Sequence, residues 1–305
     1  MITRAQIQKQ LRPGLREVLG LAYKDTPEEH KPLFEIETSD KAWEEMVMFT
    51  GFGEAPVKQE GAGVNYDDAQ ESYVARFTHE TIALAFAITE EALEDNLYDS
   101  VAKTRAKGLG RAMAATKQTK AANFFNLGFS TTYPIGDAAA FFSASHPTIE
   151  GNQSNLETAA DLSESTLETA CINISLTEDE RGILLGAMPR SLHIPVQLQF
   201  TAQKILYSDL STTAGGSSAF ARNDLNALKS MGVLPNGVHV NHRFTDNDAW
   251  FLKTDVPNGT VMFVRSKLKD AMEGDFDTGN MRYKARERYS FGVGDWRSWR
   301  GNQGT

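Results

Sequence analysis

The 305-residue sequence lacks most features that identify secreted proteins, membrane proteins and disulfide-rich folds. Its single cysteine, Cys171, excludes a disulfide framework and a cysteine-rich metal site. No stretch approaches the ~18 consecutive apolar residues that a membrane-spanning helix needs. The first twenty residues contain no apolar block followed by a small-residue cleavage site. We therefore expect a protein made in the cytoplasm, without a membrane partner.

Motifs for nucleotide binding and acyl transfer are also missing. The sequence has no G-x-G-x-x-G after a predicted strand, no P-loop and no G-x-S-x-G elbow. Cys171 lies in an apolar helical run without basic neighbours, which is typical of a buried and inert thiol. We predict no catalytic residues, no cofactor, no metal and no enzymatic activity.

The histidines keep one enzymatic alternative open, a cytoplasmic metal-dependent hydrolase that uses His239 and His242. Residues three apart on a strand lie on opposite faces, however, and no third ligand follows at motif spacing. As a general base, His146 would need an orienting carboxylate and a nucleophile. We expect His146 instead to fix a loop by hydrogen bonds to the backbone.

Charge is abundant, and its two signs are segregated along the chain. The total is −9, which argues against sequence-specific binding to nucleic acid. Residues 1–27 carry +3, residues 28–99 carry −14, residues 100–136 carry +6 and residues 137–305 carry −4. This segregation favours subunits that pair with copies of themselves.

Residues 41–80 are predicted to form a long β-hairpin with an acidic tip over 53–68. The alternation places Tyr73, Ala75, Phe77 and His79 on one face of its second strand. A two-stranded hairpin is marginally stable in water, so a projecting one needs a partner. Residues 1–40 read as a short amphipathic piece, interrupted at Pro13-Gly14 and followed by extended chain, that must lie on another surface.

A helix is predicted over about 95–126. The residues assigned to its buried stripe are mostly small, which lets a neighbouring element approach closely: Leu97, Val101, Gly108, Ala112, Ala115 and Ala122. Its exposed faces carry the cations Lys103, Arg105, Lys107, Arg111, Lys117 and Lys120. After it, Ser163 is a predicted N-cap, and "SLHIPVQLQFTAQKIL" predicts a strand, a proline break and a helix.

The order of these parts resembles the major capsid proteins of tailed bacteriophages, the Hong Kong 97-type fold. "FFSASHPTIEGNQSNL", residues 141–156, looks like the "F…HP…N" segment of the Mu-like subgroup. The resemblance implies an α+β fold with an N-terminal arm (1–40), an E-loop hairpin (41–80), a peripheral domain with a spine helix (81–140 and 265–305) and an axial domain (141–264). It also implies a virion protein that forms an icosahedral shell around double-stranded DNA.

The implied partners are further copies in hexamers and pentamers, packaged DNA held without sequence readout, a separate scaffolding protein, a portal and a decoration protein. Because no long, charge-rich helical segment precedes the arm, we expect either a separate scaffold or a subunit in its trimmed mature form. Assembly would take place in the bacterial host cytoplasm. An encapsulin-like nanocompartment with an enzyme cargo is the alternative that shares the fold.

We expect subunits to contact each other through the acidic hairpin loop of one copy and a basic strand of its neighbour. The candidate residues are Glu54, Lys58, Glu60, Asp67 and Asp68 in the hairpin, and Arg282, Lys284, Arg286 and Arg288, which share one face of a strand. Some relatives crosslink subunits through Lys–Asn bonds. Lys58 is the only lysine in the hairpin tip, and no pattern identifies an acceptor Asn or a catalytic Glu, so we expect no crosslink.

Overall fold

The computed structural model describes residues 4–61, 63–89, 91, 98–210, 225–275 and 279–305, without the side chains of residues 4–12 and 98–100. Contacts divide the chain into two units, each assembled from three separated segments. The first comprises Met1–Glu44, Phe77–Ala121 and Met262–Phe291. The second comprises Glu45–Arg76, Ala122–Val261 and Gly292–Thr305.

The described helices are α1 Arg4–Lys24, α2 Tyr98–Asn126, α3 Glu164–Ser175, α4 Gln199–Tyr207 and α5 Ala227–Met231. The strands of the first half are β1 Glu35–Thr38, β2 Trp43–Phe49, β3 Glu71–Thr78, β4 Glu80–Ile88, β5 His146–Thr148 and β6 Gly151–Gln153. The later strands are β7 Pro189–Pro195, β8 Val238–Asn241, β9 Trp250–Thr254, β10 Thr260–Gly274, β11 Met281–Val293 and β12 Trp299–Asn302. None of the helices described is long and apolar enough to cross a membrane.

In the first unit, helix α2 packs against one face of a four-stranded sheet with the order β1-β10-β11-β4. Tyr283 and Ala285 of β11 lie on this face, and Leu268 and Met272 of β10 pack against the same cluster. Strand side chains alternate between the two faces, so the intervening residues of β10 and β11 lie on the opposite, outer face. The sheet therefore has one apolar face and one free to carry charge.

Helix α1 lies on α2 through Leu15, Leu19 and Ala22, which are buried. The prediction that Pro13-Gly14 interrupts this piece is wrong, because one helix continues through both residues. The predicted close approach is confirmed. A β-carbon added at Gly110 of α2 would lie 2.7 Å from the carbonyl oxygen of Leu19.

The predicted buried stripe of α2 is wrong by one residue. Val101 and Gly108 are exposed, Ala112 and Ala115 are half-buried, and only Ala122 is fully buried; Leu97 lies outside the described residues. The buried face instead carries Ala102, Ala106, Leu109, Met113 and Phe125. One residue rotates a helix face by about 100°, and a helix rich in Ala and Gly offers little hydrophobic contrast to fix that rotation.

In the second unit, β7 pairs in parallel with β8 and antiparallel with β9, and β12 completes a sheet of order β12-β9-β7-β8. Helix α3 begins at the predicted N-cap, where Thr166 N–H donates to Ser163 Oγ in a capping box. The predicted strand, proline break and helix correspond to β7, Pro195 and α4. An aromatic cluster that includes Phe125, Phe142 and Trp299 forms part of the core.

The predicted domain ranges place residues 265–305 together in one domain. In the structure, Gly292–Thr305 belongs to the second unit, because β12 pairs with β9. Equating the two units with peripheral and axial domains remains a prediction.

Candidate assembly surfaces

The acidic loop, residues 50–70, connects β2 to β3. Its two ends are joined by Thr50 N–H, which donates to Gln70 O at 2.9 Å. Beyond this closure most side chains are open to solvent, including Val57 at 95% and Tyr66 at 98% exposure. The loop therefore makes few contacts with the rest of its own chain beyond its closure.

The structure separates the predicted loop residues into two groups. Asp67 is used within its own chain: it accepts from Gly53 N–H at 2.8 Å and lies 3.4 Å from Arg181 Nη2. The backbone N–H groups of Gly53 and Asp68, together with Arg181, hold the pKa of Asp67 below its usual value. Arg181 also donates to the carbonyl oxygen of Asp68 at 2.8 Å. Glu54, Lys58 and Glu60 are exposed and form no ion pair with described residues.

The predicted basic strand is β11, and its alternation is as expected. Tyr283, Ala285 and Glu287 are buried. The intervening cations lie on the outer face of the sheet, where Arg282, Lys284 and Arg286 are exposed and Arg288 is half-buried. Lys267 and Lys269 of β10 are also exposed on this outer face. We call this set the basic sheet face.

Within the basic sheet face the cations differ in their partners. Arg282 pairs with Asp275 at the end of the strand pair. Lys284 and Arg286 make no ion pair with any residue that the structure describes. Their uncompensated charge makes this part of the face suitable for a negatively charged partner.

The cations of helix α2 are partly used inside the first unit. Arg105 Nη1 donates to the Ala87 carbonyl oxygen at 2.8 Å, and Lys120 pairs with Glu80. Lys117 Nζ lies 2.6 Å from the buried Glu287. Lys107 and Arg111 remain exposed. The helix therefore presents a weaker positive surface than its sequence predicted.

Lys117 and Glu287 form a buried polar centre with Tyr23 of α1. Tyr23 Oη donates to Glu287 Oε2 at 3.0 Å, and burial together with Glu287 raises the Tyr23 pKa above its usual value. These contacts join α1, α2 and β11. These contacts have a structural role, because the protonated Tyr23 hydroxyl and the Lys117 ammonium group both contact Oε2 of the buried Glu287.

His146 in the second unit is fully buried, with Nδ1 2.5 Å from Asp137 Oδ2 and Nε2 3.0 Å from Asn155 Oδ1. Its partners are side chains, so the prediction of backbone hydrogen bonds is wrong. Its ring stacks on Trp296 at a centroid distance of 4.1 Å. An orienting carboxylate is thus present, but no described nucleophile contacts the His146 ring, and the buried ring is closed to substrate.

Arg297 covers Trp296 at 4.3 Å from its ring centroid. Its guanidinium contacts Glu180 Oε1 at 3.0 Å and donates to Glu178 O at 2.9 Å. Burial raises the pKa of the neighbouring Asp295, against the opposing effect of Arg297. This centre was missed from the sequence because its members lie more than 100 residues apart and no local pattern connects them.

Two stacked histidines lie at the place where the sequence left a metal site open. His239 of β8 lies opposite His193 of β7, with ring centroids 4.9 Å apart. Burial holds the pKa of both rings below the usual value. The described residues contain no group of three His, Cys, Asp or Glu placed to hold a metal ion. Burial also raises the pKa of Cys171 to about 12, as expected of an inert thiol.

Comparison with known protein families shows what kind of protein carries these surfaces. The sequence model of a family described as "Phage capsid protein" matches residues 73–301. The chain belongs to this phage capsid protein family. The matched span includes the basic sheet face, α2 and most of the second unit, and it begins after the acidic loop. No protein of curated function matches the sequence.

Solved structures place the fold among capsid and particle subunits. A protein of Mycobacterium phage Adephagia is 11% identical, with a TM-score of 0.53 over 88% of this chain and 84% of that chain. A procapsid chain of bacteriophage JBD30 is 16% identical, with a TM-score of 0.51 over 100% and 77%. A virus-like particle from Pyrococcus furiosus is 10% identical, with a TM-score of 0.53 over 95% and 98%.

Membership in the phage capsid protein family confirms the predicted function class. The chain is a structural subunit of a virion capsid and assembles with copies of itself. The α+β class and the predicted Hong Kong 97-type fold are also confirmed. Which residues make the contacts between copies is the question that the acidic loop and the basic sheet face raise.

Proposed function

We propose that this capsid subunit forms a closed icosahedral shell of hexamers and pentamers around double-stranded DNA, assembled in the bacterial host cytoplasm. In the proposed shell the acidic loop of one subunit lies on the basic sheet face of the next. Residues 1–40 act as the arm and residues 41–80 act as the E-loop. A separate scaffolding protein, a portal and a decoration protein are further partners in this proposal.

One observation carries the contact: opposite charges lie on two exposed surfaces of the same chain. Glu54 and Glu60 extend from the acidic loop, and Lys284 and Arg286 extend from the basic sheet face. A heterologous contact between such surfaces repeats from copy to copy, and it closes into rings when the rotation between copies permits. Each contact is modest, but many together give a persistent container.

The proposed DNA contact needs no sequence readout. Phosphate attraction requires only cations, whereas single-strand recognition requires aromatic side chains on which bases stack. The exposed Lys107 and Arg111 of α2 have no aromatic residue between them. A wall with a net charge of −9 per subunit also avoids binding its packaged DNA too tightly to release it.

Negative-stain electron microscopy of the overexpressed full chain tests the shell. Closed shells, tubes or capsomer rings are expected, and a uniform small dimer would contradict the proposal. Particles isolated from an infected host should then be treated with nuclease and extracted. Protected double-stranded DNA supports the proposal, whereas particles filled with an enzyme and lacking DNA would identify a nanocompartment instead.

A further inference from the structure

Strand β4 forms one end of the four-stranded sheet and leaves a long edge open. It pairs with β11 over nine residues in unbroken register, from Glu80 opposite Tyr289 to Ile88 opposite Met281. No described strand pairs with its other side. Natural edge strands are usually protected by proline, lysine or a bulge. Strand β4 contains none of these, which marks its edge as a site for strand addition.

One hydrogen bond indicates which backbone groups face this edge. The Ala87 carbonyl oxygen accepts from Arg105 of α2, and we infer from this bond that Ala87 directs its backbone groups away from β11. In an antiparallel pair these directions alternate with every residue. Ala83 and Ala85 therefore also direct their N–H and C=O groups to the edge. Their side chains are exposed on the outer face and are too small to cover the backbone.

The cations of β11 lie directly behind these alanines. Arg282 is opposite Ala87, Lys284 is opposite Ala85, and Arg286 is opposite Ala83. A strand added at the edge would lie about 4.8 Å beyond β4. Lysine and arginine can lay their apolar stems over the alanine methyl groups and extend their charged ends toward such a strand. The edge therefore suits an extended and acidic segment.

We propose that the open edge of β4 binds residues 63–70 of a second copy as an added strand. This inference rests on the proposed function and names the contact within it. Residues 63–70 have no helix or strand in their own chain, and they include Asp67 and Asp68. Val64 and Tyr66 within them are largely exposed. Main-chain hydrogen bonds supply the affinity in this mode of binding, and the exposed Asp68 side chain, placed toward the basic sheet face, supplies the selectivity.

The decisive variant is Ala85→Pro, with Ala85→Ser as its matched control. Proline removes an N–H that faces the edge and leaves the ladder to β11 intact, which edge strands tolerate. Serine keeps the N–H and nearly the same size. We expect both unassembled subunits to keep the wild-type circular dichroism. Ala85→Pro should raise the concentration needed for assembly about tenfold, equivalent to ~1.4 kcal/mol per contact, whereas Ala85→Ser should assemble like the wild type.

Amide hydrogen exchange of the wild-type protein provides a second measurement that does not depend on the folding of a variant. The amides of Ala83 and Ala85 should exchange slowly in shells and rapidly in unassembled subunits, and residues 63–70 should become protected with them. Equal exchange of these amides in both states, or normal assembly of Ala85→Pro, would overturn the inference and leave the proposed function standing. Protection of β4 without protection of 63–70 would overturn the proposed occupant. Failure of the wild type to form any shell would refute the proposed function itself.

Discussion

At the scale of single residues, Arg297 and Arg181 are two arginines with very different surroundings. The Arg297 side chain is 1% exposed and its partner Glu180 is 2% exposed, whereas Arg181 and Asp67 are 21% and 46% exposed. Removing one member of a buried pair leaves an uncompensated charge, which costs about 3–5 kcal/mol. An exposed pair contributes about 0–1 kcal/mol.

We therefore predict that Arg297→Ala lowers the free energy of unfolding by about 3–5 kcal/mol. The matched variant Arg181→Ala should lower it by less than about 1 kcal/mol. Urea unfolding of unassembled subunits at neutral pH measures both values. Equal losses for the two variants would show that Arg297 does not compensate Glu180. Adding Glu180→Leu to Arg297→Met should recover part of the loss, because the buried Glu180 carboxylate is then removed together with its partner.

At the scale of elements, two glycines of α2 differ in what surrounds them. A β-carbon at Gly110 would meet the Leu19 carbonyl oxygen at 2.7 Å, whereas a β-carbon at Gly108 would meet nothing within 4 Å. Alanine is favoured over glycine in a helix by about 1 kcal/mol. Steric conflict with backbone costs typically ~1–3 kcal/mol.

Gly108→Ala should therefore raise the free energy of unfolding by up to about 1 kcal/mol. Gly110→Ala should lower it by about 1–2 kcal/mol and loosen α1, with faster tryptic cleavage after Arg16 or Lys24. Thermal unfolding and timed proteolysis of the two variants give the comparison. If both substitutions stabilise the subunit equally, α1 does not pack on α2 as the structure shows.

The same helix shows how far sequence patterns reach. Alternation in β3 and β11 predicted their buried and exposed faces, since strands have a strict period of two and strong polar contrast. The α2 face was predicted one residue out of place because alanine and glycine carry little contrast. The contact of Arg181 with the acidic loop joins residues 114 apart, and no local pattern connects them.

At the scale of the whole molecule, the charge of −9 matters less than its placement on two surfaces. In the proposed shell, the acidic loop of one copy meets the basic sheet face of the next copy. Contacts of this kind weaken with salt, since the Debye length falls from about 10 Å at 0.1 M to about 3 Å at 1 M. A charge exchange between the two surfaces can therefore test the contact directly.

We predict that Glu54→Lys with Glu60→Lys prevents assembly at 0.1 M salt, as does Lys284→Glu with Arg286→Glu. A chain that carries all four substitutions should assemble again, because each lysine loop then meets a glutamate face. Its net charge equals the wild-type value of −9, so recovery cannot come from total charge. Lys107→Glu with Arg111→Glu changes the charge as much as the face reversal does, but on α2, and should still assemble. Sedimentation velocity resolves shells from subunits in every case. Failure of the fourfold variant to assemble, with its subunits folded, would exclude the pairing of these two surfaces.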